Sequence, residues 1–529
     1  MGICDSSQNN TQKNPRKFFG IAKSLTQKNL LDEIPDIQKN QIKLEFTVEN
    51  CTPNDKYNIM AEFLNSHVEP FKTETVTSHQ NIITFNYRYI CEFLFQNPQL
   101  MRITLFKNGQ NIGSFTPYLG MIVGSPNSTF RSNISPDRPE FVAISAEGIN
   151  DCNNLVMLNF IVKTNNNIDF SNTNNKISFM ITSNNRKVYT SESISKYGQF
   201  KNISIPKELL EPQFEVSFFN SHMEKIVYKI ENPYTFTEKN NQVYLCLNIN
   251  NNDYLIYNNS QLSQQYSFIE YIKNGVHLSL SIGIDFTRSN GEINNPNSLH
   301  RIIPGSLNDY EQAIRSCGFI MAFYDYDQLF PVYGFGAIIN NNTKNANMCF
   351  NVNFKENPEI HTIDNVIEEY HNCLTKIFLY GPTEFSPIIK KEIEIINREQ
   401  NPLSYHVLMI LTDGVIDDFK QTVDAIIEAS FLPFSLIIIG IGNANFDSMI
   451  EVDGDNVPLV NSAGIRRLRD VVQFVPFNKY RNNNEELSQQ VLEEIPKQIV
   501  EYYTMLKIYP KNLKSAIMRT KTMKNMNTV

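Results

Sequence analysis

The chain lacks tryptophan, has no C-x-x-C pair, and contains no apolar run of the roughly 18 residues that a membrane-spanning helix needs. Its first thirty residues also lack the apolar core of a secretory signal, so the protein is expected to be made and kept in the cytosol. Eight cysteines, at 4, 51, 91, 152, 246, 317, 349 and 373, are scattered without zinc-like spacing to the eight histidines. In that compartment Cys51 through Cys373 read as reduced thiols. No G-x-x-x-x-G-K-[ST] phosphate loop and no protein-kinase signature occurs. No activated nucleophile or acid/base pair presents itself either, so the chain is expected not to be an enzyme.

What is there is large and unevenly charged. A length of 529 residues predicts roughly three to four domains. The net charge of −8 hides two basic ends: residues 1–30 carry five Lys or Arg against Asp5, and residues 502–529 carry six and no acid. The body between them is strongly acidic, which argues against a nucleic-acid partner. An anionic phospholipid surface could attract the ends.

The first residues read Met1-Gly2-Ile3-Cys4-Asp5-Ser6, the pattern for myristoylation of Gly2 once Met1 is removed, with Cys4 beside it as a palmitoylation candidate. One acyl chain holds a membrane marginally; a second chain and the basic residues that follow would make attachment stable. An unmodified tail is the plain alternative.

From 41 onward the chain breaks into short alternating runs, I-K-L-E-F-T-V-E at 42–49, I-I-T-F-N-Y-R-Y at 82–89 and M-R-I-T-L-F at 101–106. A second set follows at 155–163, 176–182, 214–219 and 242–249, separated by Asn-rich connectors. Each set predicts an antiparallel sandwich. After about Tyr266 strands and helices alternate, which predicts a doubly wound, mostly parallel α/β sheet. The expected division is a basic acylated anchor at 1–33, sandwiches at 34–145 and 146–260, an α/β domain at 261–506 and a basic tail at 507–529.

Within the α/β domain, V-H-L-S-L-S-I-G-I-D-F-T-R-S-N-G at 276–291 reads as a buried strand ending in Asp285, Thr287 and Ser289. Their spacing sends alternate side chains one way, so three oxygens can converge. Taken alone, turn and cap roles explain them equally well. V-L-M-I-L-T-D-G at 407–414 ends a second buried strand in Asp413, and L-Y-G-P-T-E-F sets Thr383 on a loop before a helix. Ligands of open α/β sheets sit beyond the strands' carboxyl ends, so these five residues could meet at one hard cation such as Mg²⁺.

This constellation resembles the metal-ion-dependent adhesion site of von Willebrand factor A domains, D-x-S-x-S then T then D, with Thr287 in place of the first Ser. Together with S-L-H at 298–300, Y-G-F-G-A at 333–337, I-L-T-D-G-V-I at 410–416 and D-V-V-Q-F-V-P-F at 470–477, it resembles the copine family. That resemblance implies two C2-type sandwiches ahead of an A domain, calcium-dependent phospholipid binding, and capture of partner proteins through Mg²⁺ or Mn²⁺ at the A domain. The chain departs from the family at its calcium loops. Only Asp55 stands near a loop of the first sandwich and Asp169 near one of the second, and the expected S-D-P-F reads N-N-K-I at 174–177. Too few carboxylates remain to offset a dication's desolvation, so Ca²⁺ binding by the sandwiches is expected to be weakened.

The function expected is therefore a scaffold peripheral to the inner face of the plasma membrane or another cytosol-facing membrane. Alternatives are a conventional calcium-dependent phospholipid-binding protein, a membrane coat protein with a vestigial metal site, and a phosphotransfer enzyme. The last is weakened because D-F-T-R lacks the second acid, two residues on, that a phosphatase nucleophile needs.

Overall fold

A computed structural model describes residues 40–64, 69–148, 266–339, 345–454, 459–481 and 483–513, together with the strands and a few flanking residues between 155 and 263. Gly2, Cys4 and Asp169 lie outside the described residues. Among the described residues no helix is long and apolar enough to cross a membrane.

The chain forms two compact units, and the division does not follow chain order. One contains Asn154–Gln264; the other joins Gln41–Asn153 to Gln265–Val529. The first sandwich therefore belongs to the same unit as the α/β domain.

In that first sandwich, Asn40–Glu49 pairs antiparallel with Phe141–Gly148, setting Phe46 opposite Ile144. Ile42, Leu44, Phe46 and Val48 alternate with solvent-facing neighbours and are fully buried, as one buried sheet face requires. Lys56–Phe63, a strand the sequence pattern does not announce, pairs with Met101–Lys107 in the second sheet and buries Tyr57, Ile59 and Ala61 against the first. The last strand runs beyond residue 145, the boundary expected from the sequence.

A short helix, Leu119–Gly124, then seats this sandwich on the α/β domain. Phe95 meets the ring of Phe268 edge-on at 5.0 Å and that of Tyr324 at 4.7 Å. Gly124 packs so closely that a Cβ there would lie 1.9 Å from the Phe323 carbonyl oxygen. Glu147 of the sandwich binds both Lys43 and Lys273, at 2.8 and 3.1 Å.

The other unit is antiparallel throughout its described strands. Ile177–Ser183 lies between Arg186–Thr190 and Phe214–Asn220, and Asn252–Asn258 lies between Phe160–Thr164 and Tyr244–Ile249. Phe160, Phe179 and Phe218 form its aromatic centre, with ring separations of 4.9 to 5.8 Å.

The α/β domain is built on five parallel strands: β1 (His277–Asp285), β2 (Leu329–Phe335), β3 (Ser404–Thr412), β4 (Phe434–Gly440) and β5 (Val472–Pro476). They lie in the order β2-β1-β3-β4-β5, with the short antiparallel strand Phe350–Asn351 beyond β2. β3 and β4 are buried along their whole length, which accounts for apolar runs that do not alternate. α1 (Asp309–Met321) and α2 (Ile363–Leu374) contribute to one apolar core, while α3 (Ser386–Glu399) and α4 (Phe419–Ala429) contribute to a second. Two consecutive helices, Asn484–Leu492 and Ile495–Met505, close the domain. Pro496, which has no N–H to give, is placed in the first turn of the second, where none is required.

Candidate metal centre

The order β2-β1-β3 defines where a site can form. The chain leaves β1 for β2 on one side of it, and the sheet continues through β3 on the other. The loops after β1 and β3 therefore diverge and open a crevice at the strands' carboxyl ends. Asp285 is the last residue of β1, and Asp413 directly follows β3.

All five residues named from the sequence are brought together there. Asp285 Oδ1 accepts from the backbone N–H of Thr287 at 2.8 Å and from its hydroxyl at 2.6 Å. The Thr287 and Ser289 hydroxyl oxygens are 2.9 Å apart, and Ser289 donates to Asp413 Oδ1 at 2.8 Å. Thr383 Oγ1 lies 3.5 Å from Thr287 Oγ1. Asp285, Thr287, Thr383 and Asp413 are buried, whereas Ser289 and its neighbour Arg288 are exposed, so the cluster has a floor and one open side.

Several supporting residues carry no obvious signal in the sequence. Thr412 donates its hydroxyl to Asp285 Oδ2 at 2.6 Å. Asn290 donates to Asp413 Oδ1 at 2.9 Å and accepts from the Tyr310 hydroxyl at 2.7 Å. His300 Nε2 is 2.9 Å from the Asp285 carbonyl oxygen, which can only accept, so this nitrogen carries the proton. Its Nδ1 then accepts from Tyr370 at 2.7 Å. Burial pulls the His300 imidazole down to about 3, which keeps it neutral. The S-L-H motif at 298–300 thus acquires a role: His300 fixes the end of β1.

The loop carrying Thr383 is tied down by the acids that follow Asp413. Asp417 accepts from the Thr383 N–H at 2.7 Å, and Asp418 accepts from the N–H groups of Phe385 and Ser386, each at 3.0 Å, at the start of α3. A carboxylate is well placed at a helix N-terminus. D-D at 417–418 is a legible cue, because paired acids after a strand-end turn need donors.

The charge balance is unusual. Burial raises the Asp285 carboxyl above its ordinary range against the pull of its hydroxyl and N–H donors. Burial, then the nearby Asp285, pushes Asp413 up to about 7. Among the described residues neither forms an ion pair with Lys, Arg or His. Two carboxylates and three hydroxyls make an all-oxygen donor set that suits a hard divalent cation, and such an ion would relieve the repulsion between the acids. Among the described residues no group of three or more His, Cys, Asp or Glu is arranged to hold a metal, so the hydroxyls are essential to this set. Gly414 keeps space at the cluster: a Cβ there would lie 3.0 Å from Thr383 Oγ1 and 3.8 Å from Ser289 Oγ.

Asp55, the acid named from the sequence at a calcium-type loop of the first sandwich, is already engaged. Lys107 Nζ lies 3.0 Å from Asp55 and 3.3 Å from the buried Glu140, and donates to Thr52 Oγ1 at 2.8 Å. Asn108 donates to the other Asp55 oxygen at 2.8 Å.

A parallel sheet with a switch-point crevice lined by D-x-T-x-S, T and D defines a von Willebrand factor A-type domain, here joined to C2-like antiparallel sandwiches. Residues 298–511 match the Copine family model, so this part of the chain is a copine domain. Among solved structures, the chain is similar to Extended-Synaptotagmin 2, in the structure that spans its SMP domain and both C2 domains, at 12% identity and a TM-score of 0.19. That match covers 43% of this chain and 58% of the other, under two thirds of its length. It is also similar to the SpRpn10 VWA domain, at 11% identity and a TM-score of 0.26 over 41% of this chain and 95% of that one. A third is the manganese-loaded Plasmodium vivax TRAP protein, at 13% identity and a TM-score of 0.26 over 39% and 70%. Scores this low say nothing of function.

Proposed function

We propose that this copine-domain chain is a non-enzymatic, membrane-associated scaffold that captures partner proteins through its A domain. The observation that carries the reading is the convergence of Asp285, Thr287, Ser289, Thr383 and Asp413 at the switch point, with only the Ser289 side open. Mg²⁺ or Mn²⁺ fits this oxygen set, and a bound divalent ion supplies a positive charge whose shell a partner's carboxylate completes. The protein's own groups orient the donors: Thr412 and Thr287 hold Asp285, and Asn290 and Ser289 hold Asp413. Exposed apolar side chains flank the opening, Tyr380 beside Thr287 and Val415 just after Asp413, and offer contact area around the ion.

Membrane attachment in this reading rests on acylation of Gly2 and Cys4, on the basic ends and on the sandwiches, with weakened dependence on Ca²⁺. Lys107 supports the last point, because an ammonium sits against Asp55 and Glu140 where a dication would need them. Burial works against that ammonium, yet its bonds to Asp55, Tyr57 and Glu140 outweigh it and hold the pKa well above the usual lysine value.

Asp285→Ala tests the assignment. Mg²⁺-dependent capture of partners should be lost while retention on anionic vesicles and cooperative unfolding persist. Capture that survives would place the partner surface elsewhere. Strong micromolar Ca²⁺-dependent pelleting of acyl-free protein with liposomes would favour the conventional calcium-responsive reading instead.

A further inference from the structure

At the opposite edge of the sheet from Asp285, the amino ends of β1, β2 and β3 open onto a cavity of about 410 Å³, bounded on one side by the second half of α3. His277, Leu329 and Ser404, the first residues of the three strands, line it. None of its lining belongs to the metal centre.

The composition of the wall is one-sided. Asp325, Asp327, Glu356, Glu359, Glu392 and Glu399 line it with Lys391 and Arg398, and His406 behind the wall pairs with Glu392 at 2.8 Å and Glu399 at 3.5 Å. The two bases have local explanations: Lys391 lies 3.8 Å from Glu394 on the same helix, and Arg398 occupies the last turn of α3, where a cation meets the helix carbonyls.

An acidic wall alone would be a solvated surface. The floor supplies the independent observation. Glu392 and Tyr333 are each about 1% exposed, and among the described residues Glu392 Oε2 and the Tyr333 hydroxyl have no hydrogen-bond partner. Glu392 Oε1 is taken by His406 Nδ1 at 2.8 Å, which leaves its second oxygen as an acceptor in want of a donor. Buried polar atoms left unpaired cost free energy, and two at the floor of one cavity, one from β2 and one from α3, mark a place built for a donor-bearing guest.

The donor must suit acids spread over a wide wall. Among the described residues, no group of three or more acids is arranged around one point for a metal ion. A primary ammonium or a guanidinium has several N–H donors, carries positive charge and offers no acceptor, which matches a wall rich in carboxylates and a floor with a free carboxylate oxygen. We infer that this cavity binds the terminal ammonium or guanidinium of a ligand, brought either by a lysine or arginine side chain of a partner protein or by a free polyamine. The site is separate from the metal centre and stands whether or not that centre binds a cation.

The experiment is calorimetric titration of the full chain with three probes: spermidine, a short capped peptide bearing one arginine, and the same peptide with citrulline in its place. Saturable binding of spermidine or of the arginine peptide is expected, with the citrulline peptide at least about tenfold weaker, since it keeps the shape and loses the charge. Binding of the peptide alone assigns the guest to a protein side chain, and binding of spermidine alone to a free polyamine. The exposed pair Asp327→Asn with Glu359→Gln should weaken binding roughly tenfold. Tyr333→Phe removes a hydroxyl that no group among the described residues uses, so it should reduce affinity without lowering the unfolding midpoint. No saturable binding by either charged probe, equal binding of the citrulline peptide, or unchanged affinity in both variants would overturn the assignment and leave ordered water as the occupant.

Discussion

Thr412 donates its hydroxyl to Asp285 Oδ2 at 2.6 Å from the residue directly before Asp413, so one strand end supplies both a carboxylate of the metal centre and the support for the other. Thr412→Val keeps the shape and removes the donor, leaving a buried carboxylate oxygen unpaired. Stability in urea should fall by about 1–3 kcal/mol. Mn²⁺ affinity, followed by electron paramagnetic resonance, should drop by roughly 10- to 100-fold. Unchanged affinity would show that Asp285 is placed by Thr287 alone.

Gly414→Ala separates room at the site from stability. The added methyl comes within 3.0 Å of Thr383 Oγ1 and faces Ser289 Oγ, both proposed donors, without meeting backbone. Metal affinity should fall by about tenfold or more, with an unfolding midpoint close to that of the parent. Equal losses of both would mean the loop has moved as a whole.

Much of this site is legible in the amino-acid order alone. Apolar runs that stop at an acid identify parallel strands and their carboxyl ends, so Asp285 and Asp413 can be found from burial pattern and position. Thr383 requires only the expectation that loops at one sheet edge meet. What stays hidden are partners set by long-range register: Thr412 and His300 are ordinary residues until the strands are laid side by side. The grouping of the first sandwich with the α/β domain is equally unreadable, because it depends on Phe95, Gly124 and Glu147 meeting residues far away in the chain. Lys107 carries no signal in the sequence, and only its distances to Asp55 and Glu140 give it a role.

His406 gives the fold a pH dependence. Burial would pull its imidazole down, but bonds to Glu392 and Glu399 prevail and push it up to about 9. A folded value above the unfolded value of roughly 6.5 stabilises fully below about pH 6.5, and that contribution disappears as pH rises towards 9. Urea midpoints should thus decline between about pH 6 and pH 9.5, by roughly 1–3 kcal/mol from this group. His406→Gln should remove that part of the slope. Because Asp325 and Asp413, each pushed up to about 7, titrate in the same window, the difference between parent and variant is the quantity to compare.

Lys107→Met should destabilise the first sandwich through what it leaves behind. Glu140 is 1% exposed and among the described residues its Oε2 already lacks a partner, so loss of the ammonium strands a buried carboxylate. A loss of about 2 kcal/mol or more in urea is expected, with more than half recovered on adding Glu140→Gln. Calcium should raise the midpoint of Lys107→Met and leave the parent unchanged. A parent midpoint that rises with calcium would refute the view that the ammonium has taken over this loop end.

The seam between the first sandwich and the α/β domain is testable at Gly124. Any side chain there must push back the Phe323 carbonyl, since even a Cβ would come within 1.9 Å of its oxygen, and a flexible neighbour cannot yield in place of backbone. The same seam carries the Phe95–Phe268 and Phe95–Tyr324 ring contacts, so a shift at Gly124 would open an aromatic core as well as a backbone contact. Burying such rings contributes about 1.5–3 kcal/mol each, enough to couple the unfolding of the two parts. In Gly124→Val, differential scanning calorimetry should resolve a separate, lower-temperature transition for the first sandwich, where the parent gives one transition for both. Phe95→Ala should act in the same direction without new bulk, which distinguishes lost coupling from local strain. One merged transition in both variants would show that the Glu147–Lys273 ion pair and the remaining contacts are enough to hold the seam.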